Sequence, residues 1–248
     1  MLGALVGSQR EKESRAAVVC RWCFRVLLLA PCPWIDITPP PKEEWLELCD
    51  RDGVCLLINH VSFLDAFVFV AMTPRSVVTR YKTLMKAQLF NVPLLGTISR
   101  LVGHFPVHFL TNDDAEFRVN KEAQSEVGER VNEWVAKGGC LSIFPEGRTN
   151  RKPPVMHSFR KGPFKVAAEL NTAVVGLVTV GNHQCWPRNE SIGGLPSKIG
   201  MKLIRVAEKG HGLSAEELRV KAQGLMQEAA SDMWATQYSS SPERLKTD

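Results

Sequence analysis

Short, continuous apolar runs recur along the chain and stop abruptly at glycine, proline or a polar residue. Residues 54–58 (VCLLI), 140–144 (CLSIF) and 173–181 (AVVGLVTVG) have strand length and no alternation. That pattern suits strands buried on both faces of a sheet. Weaker strand signals lie at 76–81 (SVVTRY), 103–109 (GHFPVHF) and 199–207 (IGMKLIRVA). Between them apolar residues return at helical spacing. The clearest such segment starts near Asn112 or Asp113 and stops at Gly138, with Phe117, Val127, Val131, Trp134 and Val135 on its apolar face. Acidic residues crowd its first turn, where a helix dipole favours them. Residues 84–103 are helical in part, with an interruption near Pro93, and 162–171 form a short helix with Pro163 in its first turn. Ser214 and Glu217 have the spacing of a capping box for a last helix. Strands alternating with helices predict an α/β fold, a mostly parallel or mixed central sheet flanked by helices. Functional loops should then gather at the carboxyl ends of the strands.

Upstream of residue 42 the pattern changes. In 15–34 (RAAVVCRWCFRVLLLAPCPW), Arg15, Arg21 and Arg25 interleave with Trp22, Phe24 and Leu27, before Pro31 and Pro33 end the run. This suits an amphipathic helix lying in a membrane interface. A helix packed on its own domain would use the same residues. Glu11 and Glu13 argue against a signal peptide. The longest apolar stretch, 54–72, is a poor membrane span, because Asn59, His60 and Asp65 would be costly in lipid. Residues 1–14 read as loose and polar, and Pro39, Pro40 and Pro41 as a stiff linker. The expected organisation is a membrane-associating segment with linker over 1–41, one domain over 42–238 and a disordered tail over 239–248.

Composition narrows the partners. Lysine and arginine number 31 against 26 acidic residues, a net charge of +5 in 248 residues. This is too mild for a dedicated nucleic-acid binder, so no nucleic acid is expected. It suits anionic lipid surfaces or phosphorylated substrates. The 7 cysteines are an odd number. Cys20 and Cys23 have a CxxC spacing with no second pair to complete a zinc site, so no metal is expected. Reduced cysteines point to a cytosol-facing protein.

The stretch INHVSFLDAF, 58–67, puts an imidazole and a carboxylate five apart in apolar sequence. On one continuous helix they would sit about 140° apart. If a helix starts at Ser62, in a capping box with Asp65, then His60 lies outside it and can fold back over its start. Asp65 would then fix the tautomer of His60 and leave the other ring nitrogen as a base. The residue types alone equally allow a satisfied loop histidine and a capping acid. The chain has no G-x-S-x-G, P-loop, G-x-G-x-x-G or HExxH motif to explain the pair otherwise. A second constellation, FPEGRTN at 144–150, follows a buried run and presents Glu146, Gly147 and Arg148 on a turn, with Arg151, Lys152, Arg160 and Lys161 beyond. Such cations can clamp a phosphate, or form a solvated basic loop.

Taken together, these stretches resemble the glycerophospholipid acyltransferases. NHVSFLD is similar to that family's N-H-x-x-x-x-D motif, and FPEGRTN to its F-P-E-G-T-R-S motif. Lys86, Leu89, Phe90, Pro93 and Gly96 resemble its K-x-x-L-F-x-x-P-x-x-G segment, GHFPVHF stands in the place of its G-x-x-F-I-x-R motif, VVGLVTV in that of its V-P-V motif, and FRKGPFKVA is similar to F-K-K-G-x-F-x-x-A. The likeness runs over about residues 50–185, in the family's order. Three departures stand out. Phe109 occupies the place of a substrate-binding arginine, Thr and Arg are exchanged so that Arg148 comes one position early, and Gly176 replaces a proline.

The resemblance implies transfer of a fatty acyl group from acyl-CoA, as co-substrate and with no other cofactor, to the free hydroxyl of lysophosphatidic acid. His60 would be the general base, oriented by Asp65. Asn59, Glu146 and Gly147 would contact substrate, with Glu146 on a substrate hydroxyl or organising the turn. Arg148, Arg151, Lys86 and Lys161, in that order, are candidates for the phosphate. Backbone N–H groups near Glu146 and Gly147, or at Ser62, would face the oxyanion. The expected partners are membrane lipids, a lysophospholipid acceptor and the acyl-CoA donor, on the cytosolic face of a membrane such as the endoplasmic reticulum. Another lysophospholipid acceptor, a thioester or lipid hydrolase, and an impaired lipid-binding protein are the alternatives.

Overall fold

A strand made only of apolar residues must be covered on both faces. In the computed structural model, which describes residues 7–110, 119–187, 190 and 192–238, helices supply that cover. In chain order the elements are α1 (Gln9–Leu29), β1 (Ile35–Thr38), α2 (Lys42–Cys49), β2 (Val54–Ile58), α3 (Leu64–Met72), α4 (Arg75–Val78), β3 (Tyr81–Lys86), α5 (Leu95–Val102), β4 (Phe105–Val107), α6 (Lys121–Ala136), β5 (Cys140–Ile143), α7 (Gly162–Glu169), β6 (Ala173–Val180), α8 (Asn182–Cys185), β7 (Ser197–Ala207) and α9 (Ala215–Tyr238).

The strands form one sheet in the order β1-β7-β6-β2-β5-β3-β4. Neighbours run parallel except β6 and β7. Strands β2 to β6 therefore share a direction, and their carboxyl ends share one edge. Alternate residues of β2 feed opposite layers. Cys55 and Leu57 pack with Val131 of α6, Phe164 of α7 and Met226 of α9. Val54, Leu56 and Ile58 pack with Trp45 of α2 and with Leu64 and Val68 of α3. Each fully buried Leu or Ile contributes about 1.5–3 kcal/mol, so β2 pins both layers at once. Gly176, in the middle of β6, lets α9 come close: a Cβ there would lie 2.9 Å from Met226 Cγ.

Several boundaries differ from the pattern-based expectation. Residues 76–81 are not a strand. Arg75–Val78 form a helical turn after Pro74, and the strand begins only at Tyr81, continuing to Lys86. The apolar pair Val77 and Val78 is buried in either conformation, so periodicity over so short a run does not separate them. The long helix starts at Lys121, where the Asn120 side chain accepts from Ala123 N at 3.2 Å. The start expected at Asn112 or Asp113 lies outside the described residues, and Val119 bridges Phe109 in an antiparallel pair just before the cap. Residues 9–14, expected to be loose, are already helical, because Ser8 and Glu11 form a capping box. Pro39–Pro41 joins β1, an edge strand on β7, to α2, and neither element stood out in the sequence.

The segment α1 packs along α3, α4 and α5. Phe24 meets Phe67 edge-on at 4.8 Å, Arg21 Nε donates to Thr73 O at 2.6 Å, and Glu13 pairs with Lys82 at 2.8 Å. Its outward face leaves Val19, Trp22, Val26 and Leu27 exposed. Among the described residues no helix is long and apolar enough to cross a membrane.

Candidate active site

The carboxyl edge of β2 passes directly into Asn59 and His60. Asn59 is buried, and its amide is committed to β6: Nδ2 donates to Thr179 O at 2.9 Å and Oδ1 accepts from Thr179 N at 2.7 Å. Both ends of the amide expected to contact substrate are thus bonded to β6. Asn59 fastens the strand ends that carry His60.

His60 stands just before α3, and its Nδ1 lies 2.9 Å from Asp65 Oδ2. The helix begins at Leu64 with Phe63 at its N-cap, so of the capping box expected at Ser62 only the Asp65 half forms. Asp65 Oδ2 accepts from Ser62 N at 2.9 Å, and Ser62 Oγ accepts from Leu64 N at 3.3 Å. Asp65 Oδ2 also accepts from Val61 N at 2.7 Å, and Oδ1 accepts from Asn182 Nδ2 at 2.6 Å. Asp65 is wholly buried, and all its partners are nitrogen donors, the surroundings an acceptor-only carboxylate requires. An imidazole facing it carries its proton on Nδ1 and keeps a lone pair on Nε2. Nε2 lies 3.4 Å from Thr149 Oγ1, and the ring packs 4.6 Å from the Phe144 ring. The imidazole keeps 21% of its surface exposed, so one side of the ring is reachable from solvent.

The loop after β5 closes over this joint. Gly147 adopts φ 72°, in the left-handed region open to glycine, and its N–H donates to Phe144 O. Glu146 is fully buried and spans two segments: Oε1 accepts from His60 N at 2.9 Å and Oε2 from His157 N at 2.8 Å. Burial pushes its carboxyl up to about 7 against the pull of those two amides. Both Glu146 oxygens thus accept from backbone and tie the turn to the His60 joint. The amides of Val61, Ser62 and Gly147 are likewise bonded within the protein.

The cations divide. Arg148 and Arg151 are exposed on the loop after Gly147. Burial, then Arg148 and Arg160, lower the titration of His157, which places those two guanidinium groups around it. Lys86 is half-buried at the carboxyl end of β3. Lys161 turns instead toward Glu216 at the start of α9, at 4.0 Å. A cleft of about 1200 Å³ between α1, α2 and α4 touches none of these side chains. The buried acid–imidazole pair lies apart from this cleft.

Motifs alone do not reveal three of the residues at this site. Thr149 sits inside FPEGRTN without a role of its own. Thr179 and Asn182 belong to β6 and the turn beyond it. The available signal was positional: a polar residue just past the carboxyl end of a buried strand.

Residues 42–180 match the acyltransferase family model, more than half of the chain, and the chain belongs to that family. It is 28% identical over 171 residues to the 1-acyl-sn-glycerol-3-phosphate acyltransferase LPAT1, chloroplastic, of Arabidopsis thaliana, covering 69% of this chain and 43% of that protein. It is 30% identical over 146 residues to the 1-acyl-sn-glycerol-3-phosphate acyltransferase of Cocos nucifera, covering 59% and 43%. The chain thus spans less than half the length of these curated relatives. Its fold matches the crystal structure of the 1-acyl-sn-glycerophosphate (LPA) acyltransferase PlsC from Thermotoga maritima, with TM-score 0.66 and 18% identity over 93% of this chain and 85% of the other.

Proposed function

We propose that this chain transfers a fatty acyl group from acyl-CoA to the free hydroxyl of lysophosphatidic acid, giving phosphatidic acid. The observation that carries this reading is the His60–Asp65 pair, with Nδ1 tied to a buried carboxylate, Nε2 facing the Thr149 hydroxyl and part of the ring exposed. His60 Nε2 takes the proton of the glycerol hydroxyl as its oxygen bonds to the thioester carbonyl carbon. The tetrahedral intermediate then collapses, the C–S bond breaks, and the imidazolium returns the proton to the CoA thiolate. General base catalysis of this kind is worth about 10²–10⁴-fold. The Thr149 hydroxyl marks the direction from which an alcohol approaches Nε2.

Arg148, Arg151 and Lys86 are the cations assigned to the acceptor phosphate. Lys161 ranks last among the candidates, since Glu216 faces it at 4.0 Å. The names of the relatives and the cationic loop beside His60 support this acceptor. Both substrates are amphiphiles, so the protein is assigned to a membrane surface. The exposed Trp22 and Leu27 of α1, with Phe63, Leu94 and Ile192 on loops after β2, β3 and β6, supply apolar contacts for it.

An acceptor panel with one labelled acyl-CoA tests the reading. Wild type should label phosphatidic acid when lysophosphatidic acid is added, and His60→Ala should not. Labelled free fatty acid that forms without any acceptor would make the chain a hydrolase instead.

A further inference from the structure

We infer that Asn182 is a positioning residue of the catalytic centre, holding the Asp65 carboxylate in the orientation that fixes the His60 imidazole. The inference rests on the proposed role of His60 as base. Three donors crowd one oxygen of Asp65: Val61 N, Ser62 N and His60 Nδ1. The terminal torsion of an aspartate is broad and roughly two-fold. A carboxylate held at one oxygen can still swing about that point. Asn182 Nδ2 anchors the other oxygen at 2.6 Å and stops the swing.

The fold is built to deliver this amide. Gly181 turns at φ 101°, and a Cβ there would meet Lys198 O at 1.9 Å, so the chain bends hard against β7 as it leaves β6. Asn182 is thereby brought back over the strand end and fully buried. Its Nδ2 also lies 3.4 Å from Thr179 Oγ1, and Thr179 in turn clips Asn59, the residue before His60. The contacts His60, Asp65, Asn182, Thr179 and Asn59 close into a ring. Asn182 Oδ1 has no hydrogen-bond partner. A buried orphan acceptor costs stability that a leucine of similar shape would not, so space-filling alone does not account for an amide here.

Asn182→Leu keeps the shape and removes the donor. In the folded variant, kcat should fall about 10–100-fold, the size seen when the partner orienting a metal-bound histidine is removed, with KM for both substrates within about threefold. The His60 Nδ1 proton resonance should move upfield as the bond to Asp65 loosens. Asn182→Asp opposes two carboxyl groups, with His60, His183 and Glu146 as the other titratable groups facing them. Its kcat should be lost at alkaline pH and partly return as pH falls and one proton bridges the pair. A leucine variant with wild-type kcat, or an aspartate variant whose pH profile parallels wild type, overturns the inference. Asn182→Ala serves, with the same thresholds, if the leucine variant does not fold. His60→Ala in the same series separates the two ideas. Wild-type turnover in it removes His60 as base; an inactive His60→Ala beside a fully active Asn182→Leu removes only the positioning role.

Discussion

At the end of β2, His60 and Asp65 sit among buried donors on a strand–helix joint, whereas at the end of β5 the chain turns at Gly147 and sends Arg148 and Arg151 outward into solvent. The difference matches what each region is asked to do. Proton transfer needs heavy atoms within hydrogen-bond reach and is sensitive to displacements of about 1 Å. Attraction between a guanidinium and a phosphate falls off only with the inverse of distance. A buried joint therefore suits the proposed base, and an exposed rim of cations suits the proposed phosphate headgroup. Glu146 links the two, since its carboxylate holds the amide of His60 on one side and that of His157 on the other.

The comparison breaks most directly at the base. His60→Ala should lower kcat by up to about 10⁴-fold while leaving binding to lipid vesicles unchanged; turnover near wild type would move the chemistry elsewhere. Asp65→Asn should come next, lowering kcat about 10²-fold with little change in KM, because an amide facing Nδ1 no longer enforces one tautomer. Steady-state kinetics with both substrates varied distinguishes this from lost affinity.

Glu146 tests the link between the regions. Its proton is held to about pH 7 in the folded protein, against an ordinary carboxyl value of 4.5. The native state therefore binds a proton that the unfolded chain has lost between those values. Stability should fall as pH rises through that window, by up to about 3 kcal/mol. Glu146→Gln should flatten this slope in denaturation measured across pH, and a slope that persists would show that another group carries it. Arg148→Ala should raise KM for the phosphorylated acceptor about tenfold, the loss of one charge-assisted bond, with kcat little changed. If kcat fell instead, Arg148 would belong with the buried joint. The smallest effect is expected at Lys161→Ala, where an exposed pair with Glu216 is worth about 0–1 kcal/mol. KM should stay within about twofold there, and a larger rise would rank Lys161 with the other phosphate cations.

Much of the fold was legible because continuous apolar runs leave few alternatives. VCLLI and AVVGLVTV had to be buried on both faces, and β2 and β6 are adjacent in the sheet. Short mixed runs were less informative. SVVTRY has apolar residues that serve a helical turn as well as a strand, and β1 and α2 are too short to declare a period. Within the site, the spacing of His60 and Asp65 already implied a joint rather than a single helix. The partner of Asn59 was not legible, and for Glu146 the turn-organising contact was one of two readings. Whether a buried amide or carboxylate faces ligand or backbone depends on what the fold sets opposite it.

Local pattern by itself determined that buried strands alternate with helices, that polar chemistry falls at the strand ends, and that an imidazole and a carboxylate share one such end. Those properties depend on residues within a few positions of each other. Tertiary structure alone decided that Asp65 meets Asn182, 117 positions away, and that His60 meets Glu146, 86 positions away. These partners are set by strand order and by tight turns such as that at Gly181. Hydrophobic periodicity dictates which face of an element is buried, while the neighbour across that face is chosen only when the sheet assembles.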